Sequence, residues 1–327
     1  MTARRPQPCP PQRSRGAALL AAMLTVTLVA TLAASALWQQ WRDVEIETSE
    51  RARVQAGWML AGALDWSRLI LREDFRANLN NRAQTDNLTE PWAVPLQEAR
   101  LSSFLAADPN NTTEGGDDTD VFLSGGMTDA QASFNLRTLV PLPNKPDPEP
   151  LLALQRLFAQ LNLPEQQAQL IAQGMAAAVA GGAEAPLMPQ RLDEIAWFGV
   201  SPATIRALAP YADILPIADT LVNLNTASVP VLAAVLNTSA SVAQKLVTAR
   251  TNKPFTDPSE ATRAAGVELD TTRVSVASKF FKVRGRLRLQ QAVVEEQSLV
   301  SRDGIKVRAE WRERGALGMA TPSAVAR

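Results

Sequence analysis

From Gly16 to Trp41 the chain carries no charged residue, and within that stretch Ala17 to Leu37 is an unbroken run of apolar and small side chains. As a helix this run is long enough to cross the ~30 Å hydrocarbon layer of a bilayer. Beyond Trp41 apolar residues recur at helical spacing as far as Phe75, with Met59, Ala63, Trp66 and Ile70 at i, i+4, i+7 and i+11 on one face. No proline interrupts the stretch, and Gly57 and Gly62 weaken it only locally. The pattern predicts one helix from Ala17 to about Arg76, apolar all round in its first half and amphipathic in its second.

Past this helix the texture changes twice. Residues 77–150 are rich in Asn, Asp, Gly and Pro, with short apolar runs at Trp92–Leu96, Val121–Leu123 and Phe134–Leu142, which predict loops and short strands where the core sheet begins. From Pro148 to Val276 alanine- and leucine-rich runs punctuated by proline predict helices over Leu151–Leu161, Glu165–Ala180, Leu192–Phe198, Ala203–Leu208, Val229–Leu236 and Val242–Arg250. Ser201-Pro202 and Thr226-Ala227 have the form of N-caps with a helix-compatible residue next.

The last part alternates with period two. Phe281, Val283, Gly285, Leu287 and Leu289 stand against Lys282, Arg284, Arg286 and Arg288, and Ile305, Val307, Ala309 and Trp311 against Lys306, Arg308, Glu310 and Arg312. Half-buried antiparallel strands follow, with a tight hairpin at Asp303-Gly304. The Lys/Arg stripe is expected to be a solvated sheet face, because Glu295 and Glu296 lie on the intervening strand. The tail from Gly315 is expected to be flexible.

Composition narrows the function. The 327 residues include no histidine and one cysteine, Cys9. His-based catalytic triads, His-ligated zinc, c-type haem, internal disulfides and cysteine-cluster metal sites are therefore excluded. No Gly-rich phosphate loop or G-x-S-x-G elbow occurs, and an enzyme is not expected. The 33 basic residues balance the 33 acidic ones, but Arg4, Arg5, Arg13 and Arg15 all precede the apolar run, in a stretch without any acid. By the positive-inside rule this end stays in the cytoplasm and the bulk of the chain lies on the far side. Three readings compete for the run: a permanent anchor, a secretory signal cleaved at Ala34-Ser35-Ala36, and a prepilin-type leader cut at the front edge. Arg15-Gly16 abutting the apolar run, and the helix continuing past it, favour the third.

The long half-apolar helix resembles that of type IV pilins and pseudopilins, and further marks sharpen the resemblance to the minor pseudopilin K family of type II secretion. They are the junction RGAALLAAMLT, the stretch WSRLILRED from Trp66 to Asp74, Trp92-Ala93-x-Pro95, the D-x-Q-x-x-F-N-L element at Asp129, Gln131, Phe134, Asn135 and Leu136, and V-N-L-N-T-A at Val222 to Ala227. Ala132-Ser133 departs from the Gly-Arg that the family often has before Phe-Asn-Leu. The resemblance implies an α+β fold: a pilin-like transmembrane and amphipathic helix, an antiparallel-sheet head, and an inserted all-helical domain of helix-hairpin-helix or SAM-like type. The implied organisation is a leader over 1–16, the helix over 17–76 with 17–37 in the membrane, a head over 77–147 and 277–314, the inserted domain over 148–276, and a tail over 315–327.

The same resemblance implies cleavage between Gly16 and Ala17 by a prepilin peptidase, with methylation of the new amine. It implies a single-pass inner-membrane protein whose head lies in the periplasm, and partners among the other minor pseudopilins, the major pseudopilin and the inner-membrane assembly platform. Ala21 stands where most pseudopilins carry a glutamate, which implies a place at the pseudopilus tip and a part in starting its assembly. Asp108 to Asp120 (DPNNTTEGGDDTD) concentrates carboxylates in a loop that suits calcium, with Asp117, Asp118 and Asp120 as candidate ligands, an acidic solvated loop being the alternative. Val222 to Phe255 resembles the helix-hairpin-helix module of DNA-uptake proteins, but its hairpin, Asn237 to Ser241, has no glycine to let backbone amides approach a phosphate. A structural role is expected there, with a membrane-anchored DNA receptor as the alternative function.

Overall fold

The computed structural model describes residues 15–80, 84–101, 121–140, 147–182, 184–289 and 292–315. The leader arginines before Arg15, Cys9, the Asp108–Asp120 loop with Asp117, Asp118 and Asp120, and the tail past Gly315 lie outside these residues. The chain divides into two compact units, one up to Gln55 and one from Ala56 onward. Helix α1 (Arg15–Asn80) contributes to both.

In the first unit α1 is exposed from Gly16 to Arg51, and its apolar part has the length and composition to cross a membrane. Gly16, Ala17 and Ala21 are all exposed on it. Trp38 and Trp41 close the uncharged run with ring centroids 5.7 Å apart, the residue type that settles at a membrane interface.

The second unit is built on a five-stranded antiparallel sheet of β1 (Leu96–Arg100), β2 (Val121–Asp129), β7 (Phe280–Leu289), β8 (Ala292–Asp303) and β9 (Lys306–Gly315), in the order β1-β2-β7-β8-β9. The alternation read in β7 is realised. Phe281 and Val283 join Leu64 and Leu71 of α1, Trp92, Met127, Val300 and Val307 in one buried cluster. Phe280 points the other way, with Leu299, Ala130 and Leu215. Gly285 lies under α1: a Cβ there would stand 3.0 Å from Leu60 Cδ2, so the bare backbone sets how closely the helix approaches.

At α1 and at the last hairpin the sequence expectations need correction. The buried face of α1 is Ala56, Leu60, Leu64 and Leu71, one row over from the predicted Met59, Ala63, Trp66 and Ile70, and Trp66 is 48% exposed. Both rows satisfy a helical period; the row of leucines is the one packed on the sheet, with Ile70 of the other row partly buried beside it. Ile305 is not a strand residue: it shares the two-residue hairpin turn with Gly304 (φ +60°) between the paired Asp303 and Lys306, and is exposed. A bulge follows at Leu299/Val300, so the edge strand β9 keeps only part of the expected alternation.

The chain leaves the sheet after β2 and returns with β7. Between them lie α2 (Glu149–Gln160), α3 (Glu165–Ala180), the 3₁₀ turn Leu192–Phe198, α4 (Pro202–Leu208), α5 (Val229–Val235), α6 (Ala240–Asn252) and α7 (Ser259–Ala265). They share one buried core that includes Leu154, Phe158, Ile171, Met175, Leu232 and Leu246. Ser201 caps α4 as expected, its hydroxyl accepting from Thr204 N at 3.1 Å. Thr226 does not cap: α5 starts after Ser228, and the Thr226 hydroxyl is drawn to Asp129 instead. Two parallel ladders went unread in the sequence. They join β3 (Phe134–Asn135) to β4 (Ala212–Asp213), and β5 (Val222–Asn223) to β6 (Val274–Ser275).

Candidate functional site

Strand β2 ends in Asp129, and the chain turns there because its carboxylate accepts from Gln131 N at 2.8 Å, capping the 3₁₀ turn Ala130–Ala132. The other oxygen collects three donors: Asn223 Nδ2 at 2.8 Å, Thr226 Oγ1 at 2.6 Å and Ser278 Oγ at 2.6 Å. The separate motifs D-x-Q-x-x-F-N-L and V-N-L-N-T-A therefore meet at one carboxylate. Gln131 ties the same turn to the return of the chain, donating to Leu221 O at 2.7 Å and accepting from Lys279 N at 2.6 Å. Asn135 accepts from Arg137 N and Leu215 N and donates to Ile217 O and Thr220 Oγ1. Asn225 does the same for Phe255, donating to its carbonyl at 2.9 Å and accepting from its N–H at 2.8 Å. Buried amides and carboxylates are retained here because each satisfies backbone groups that no helix or sheet serves.

A second layer surrounds Arg302, whose side chain is 5% exposed at the end of β8. Its guanidinium donates to Asp74 Oδ2 at 3.0 Å, to the Asp86 carboxylate and to Ser278 O at 3.1 Å, and lies 4.9 Å from the Phe281 ring centre. Asp86 also accepts from Ser278 N at 2.7 Å, and its backbone oxygen accepts from Asn223 Nδ2 at 3.0 Å. Glu90 completes the cluster, held by Trp92 Nε1 at 2.6 Å and Asn87 Nδ2 at 2.7 Å. This explains the Trp92 mark, whose ring packs edge-on against Phe281. Asp86, Ser278 and Arg302 were not foreseen. Asp86 and Ser278 lie in short polar segments without a period, and Arg302, at the end of β8, is 228 residues from Asp74 and 216 from Asp86.

Two carboxyls, Asp74 and Asp86, thus share one buried guanidinium, while Glu90 and Asp129 are held by neutral donors. Burial pushes Asp74 up to about 6 against the pull of Arg302, with the Asp86 charge adding to the rise. Burial raises Glu90 to about 7 against its Trp92 hydrogen bond, and Asp129 to about 6 against its hydroxyl and amide donors. Carboxylate oxygens of Asp74, Asp86 and Glu90 come within 4.8 Å of one another, a spacing that a hard cation could use. Arg302, Trp92 and Asn87 already take up these groups, so the arrangement reads as a structural clamp.

The sheet's basic stripe is more engaged than a plain solvated face. Lys282 reaches buried Asp213 at 2.7 Å, Arg286 reaches Glu295 at 3.5 Å, and Arg288 bonds Glu98 while lying 4.1 Å from the Phe122 ring centre. Glu296 does not serve this stripe. Consecutive strand residues point to opposite faces, and Glu296 is buried on the α1 side, where Arg312 and Arg314 bond it at 2.7 and 2.8 Å. In the α5–α6 hairpin the turn is made by Asn237 (φ +48°) and capped by Ser239, which accepts from Val242 N. Arg250 is buried with its guanidinium on Leu224 O at 2.6 Å, so it ties α6 to the segment just after β5.

Comparison with known proteins places these features. The model of the family "Type II secretion system (T2SS), protein K" matches residues 222–283, the segment that holds Asn223, Asn225, Thr226 and Ser278. Over 94% of its length the chain is 27% identical to type II secretion system protein K of Pseudomonas aeruginosa, covering 95% of that protein. In fold it is similar to a chain in the crystal structure of the GspK-GspI-GspJ complex from the type 2 secretion system of enterotoxigenic Escherichia coli. There the TM-score is 0.60 at 19% identity, with 82% of this chain and 98% of that one covered. The resemblance to the protein K family read from the residues holds.

Two outcomes test the clamp. Arg302→Met leaves Asp74 and Asp86 buried without their cation and is expected to cost about 3–5 kcal/mol in urea denaturation, whereas Arg288→Ala, at an exposed pair, should cost under about 1 kcal/mol. The pH dependence follows from the raised carboxyls. The native chain holds more protons than the unfolded one between their ordinary values and about 6–7, so the stability they contribute is full at low pH and lost as pH rises through that range. The melting temperature is expected to be higher at pH 5 than at pH 8, with Glu90→Gln flattening the slope. A melting temperature that rises with pH over this window contradicts it.

Proposed function

We propose that this chain, similar to protein K of type II secretion, is a minor pseudopilin that joins other minor pseudopilins at the tip of the pseudopilus and helps to start its assembly. The observation that carries the reading is α1 itself: one helix whose first part is apolar and exposed and whose last turns are clamped into the head by Asp74. Support for partnership comes from the fold relative, which was crystallised as a complex named for three such proteins.

Tip position rests on two features. After cleavage between Gly16 and Ala17, Ala21 leaves the chain without the carboxylate that would neutralise the ammonium of a subunit ahead, since an unpaired charge in an apolar filament core is costly. Its own ammonium still pairs with the glutamate of the subunit behind, so it stands first in line. The bulk between β2 and β7 adds a second reason, because a cap tolerates it and a closely stacked shaft does not. The head then lies in the periplasm and the leader is removed at the inner membrane. In the reading we favour, calcium binds the Asp108–Asp120 loop through Asp117, Asp118 and Asp120 and stiffens the head.

The mature protein should have a mass corresponding to a methylated chain that begins at Ala17, and gold labels on assembled pseudopili should sit at one end only. A chain that begins at Leu37, or labels along the shaft, overturns the assignment. Millimolar calcium should raise the melting temperature over that in chelator, and equal values would remove calcium from the proposal.

A further inference from the structure

A groove of about 390 Å³ runs between α1 and β9, lined by Arg68, Arg72, Arg76, Lys306 and Arg308, with Ile305 and Val307 as its apolar part. We propose that this groove is the docking surface for a carboxylate-bearing segment of a partner pseudopilin. The inference rests on the functional reading above and names a contact surface for it.

Three features carry it. Arg68, Arg72 and Arg76 follow one another at i, i+4 spacing, so Arg72 has a like charge on either side, an arrangement that disfavours the helix unless an anion offsets it. Arg68 and Arg76 are each drawn to a carboxylate three residues earlier, Asp65 at 2.8 Å and Glu73 at 2.6 Å. Arg72 has no such neighbour, since Leu69 occupies that position. Among the described residues Arg72 Nε is buried without a hydrogen-bond partner.

The groove is also preorganised. Arg68 donates from Nε and Nη2 to Val307 O at 3.1 and 2.7 Å, which ties the helix to the edge strand and fixes one wall. The other wall holds Lys306 and Arg308, next to the exposed Ile305 of the hairpin turn. Planar guanidiniums in fixed positions match the bidentate geometry of a carboxylate. An apolar rim residue beside them fits a folded protein surface, whose acidic side chains come with apolar neighbours. A nucleic-acid backbone is a poorer match, because Asp65 and Glu73 pair with Arg68 and Arg76 and interrupt any longer positive track.

The test uses the full-length chain in detergent, co-expressed with tagged minor pseudopilins of the same organism. Arg72→Glu and Lys306→Glu should each reduce co-purified partner by about tenfold or more at an unchanged melting temperature, and raising salt should weaken the wild-type complex. Arg284→Glu, the same charge change at an exposed site elsewhere on the sheet, should leave it intact. Full retention by both groove variants overturns the inference while leaving the pseudopilin reading in place, and equal loss by Arg284→Glu overturns it as an effect of net charge. A wild-type chain that captures none of these partners removes the reading on which it rests. Salt-sensitive binding of a short DNA duplex that Arg72→Glu abolishes assigns the groove to phosphate and overturns the assignment to protein.

Discussion

A guanidinium removed from water must find acceptors in the protein, and the position of Arg302 decides where three separate parts of this chain come together. Helix α1 supplies Asp74, the following loop supplies Asp86, and the segment before β7 supplies the carbonyl of Ser278. Each also brings apolar surface: Leu71 on the helix, Trp92 beyond the loop, Phe281 on the strand. The polar contacts set register and the apolar ones supply most of the driving force, since a buried ion pair stabilises little in net terms yet is costly to break.

Asp129 extends this constraint into the helical segment. It belongs to the sheet through β2, and its donors come from β5, from the residues before α5, and from Ser278. Ser278 touches both Asp129 and Asp86, and Asn223 bonds the side chain of one and the backbone of the other. The clamp at the end of α1 and the anchor of the segment between β2 and β7 are therefore one hydrogen-bonded body. Burial of its carboxyls, with their mutual repulsion as the smaller part, explains why Asp74, Glu90 and Asp129 hold protons more tightly than free side chains do.

Much of this was legible before the structure. Long periodic elements speak through their apolar spacing, so α1, α3 and the β7–β9 strands stand close to where the pattern put them. The polar motifs were visible as motifs, but their meeting point was not, because nothing in local spacing connects Asp129 with Ser278, or Asp74 with Arg302. Two-residue ladders such as β5–β6 leave no period to read. Thr226 shows how a local rule gives way: a residue of cap type is claimed by a buried carboxylate 97 positions away. The face of α1 was misread for a related reason, since periodicity gives a helix its stripe but packing against the sheet chooses between neighbouring rows.

The helix that enters this node is also the one that carries the exposed apolar run. Hydrogen exchange read by mass spectrometry on the full chain, wild type against Asp129→Ala, examines whether the node acts as one body. If it does, amides in residues 56–80 of α1, in 222–228 and in 274–281 should lose protection together, although they belong to different elements. Loss confined to the turn at Ala130–Ala132, with α1 and the 222–228 segment as protected as before, would contradict it.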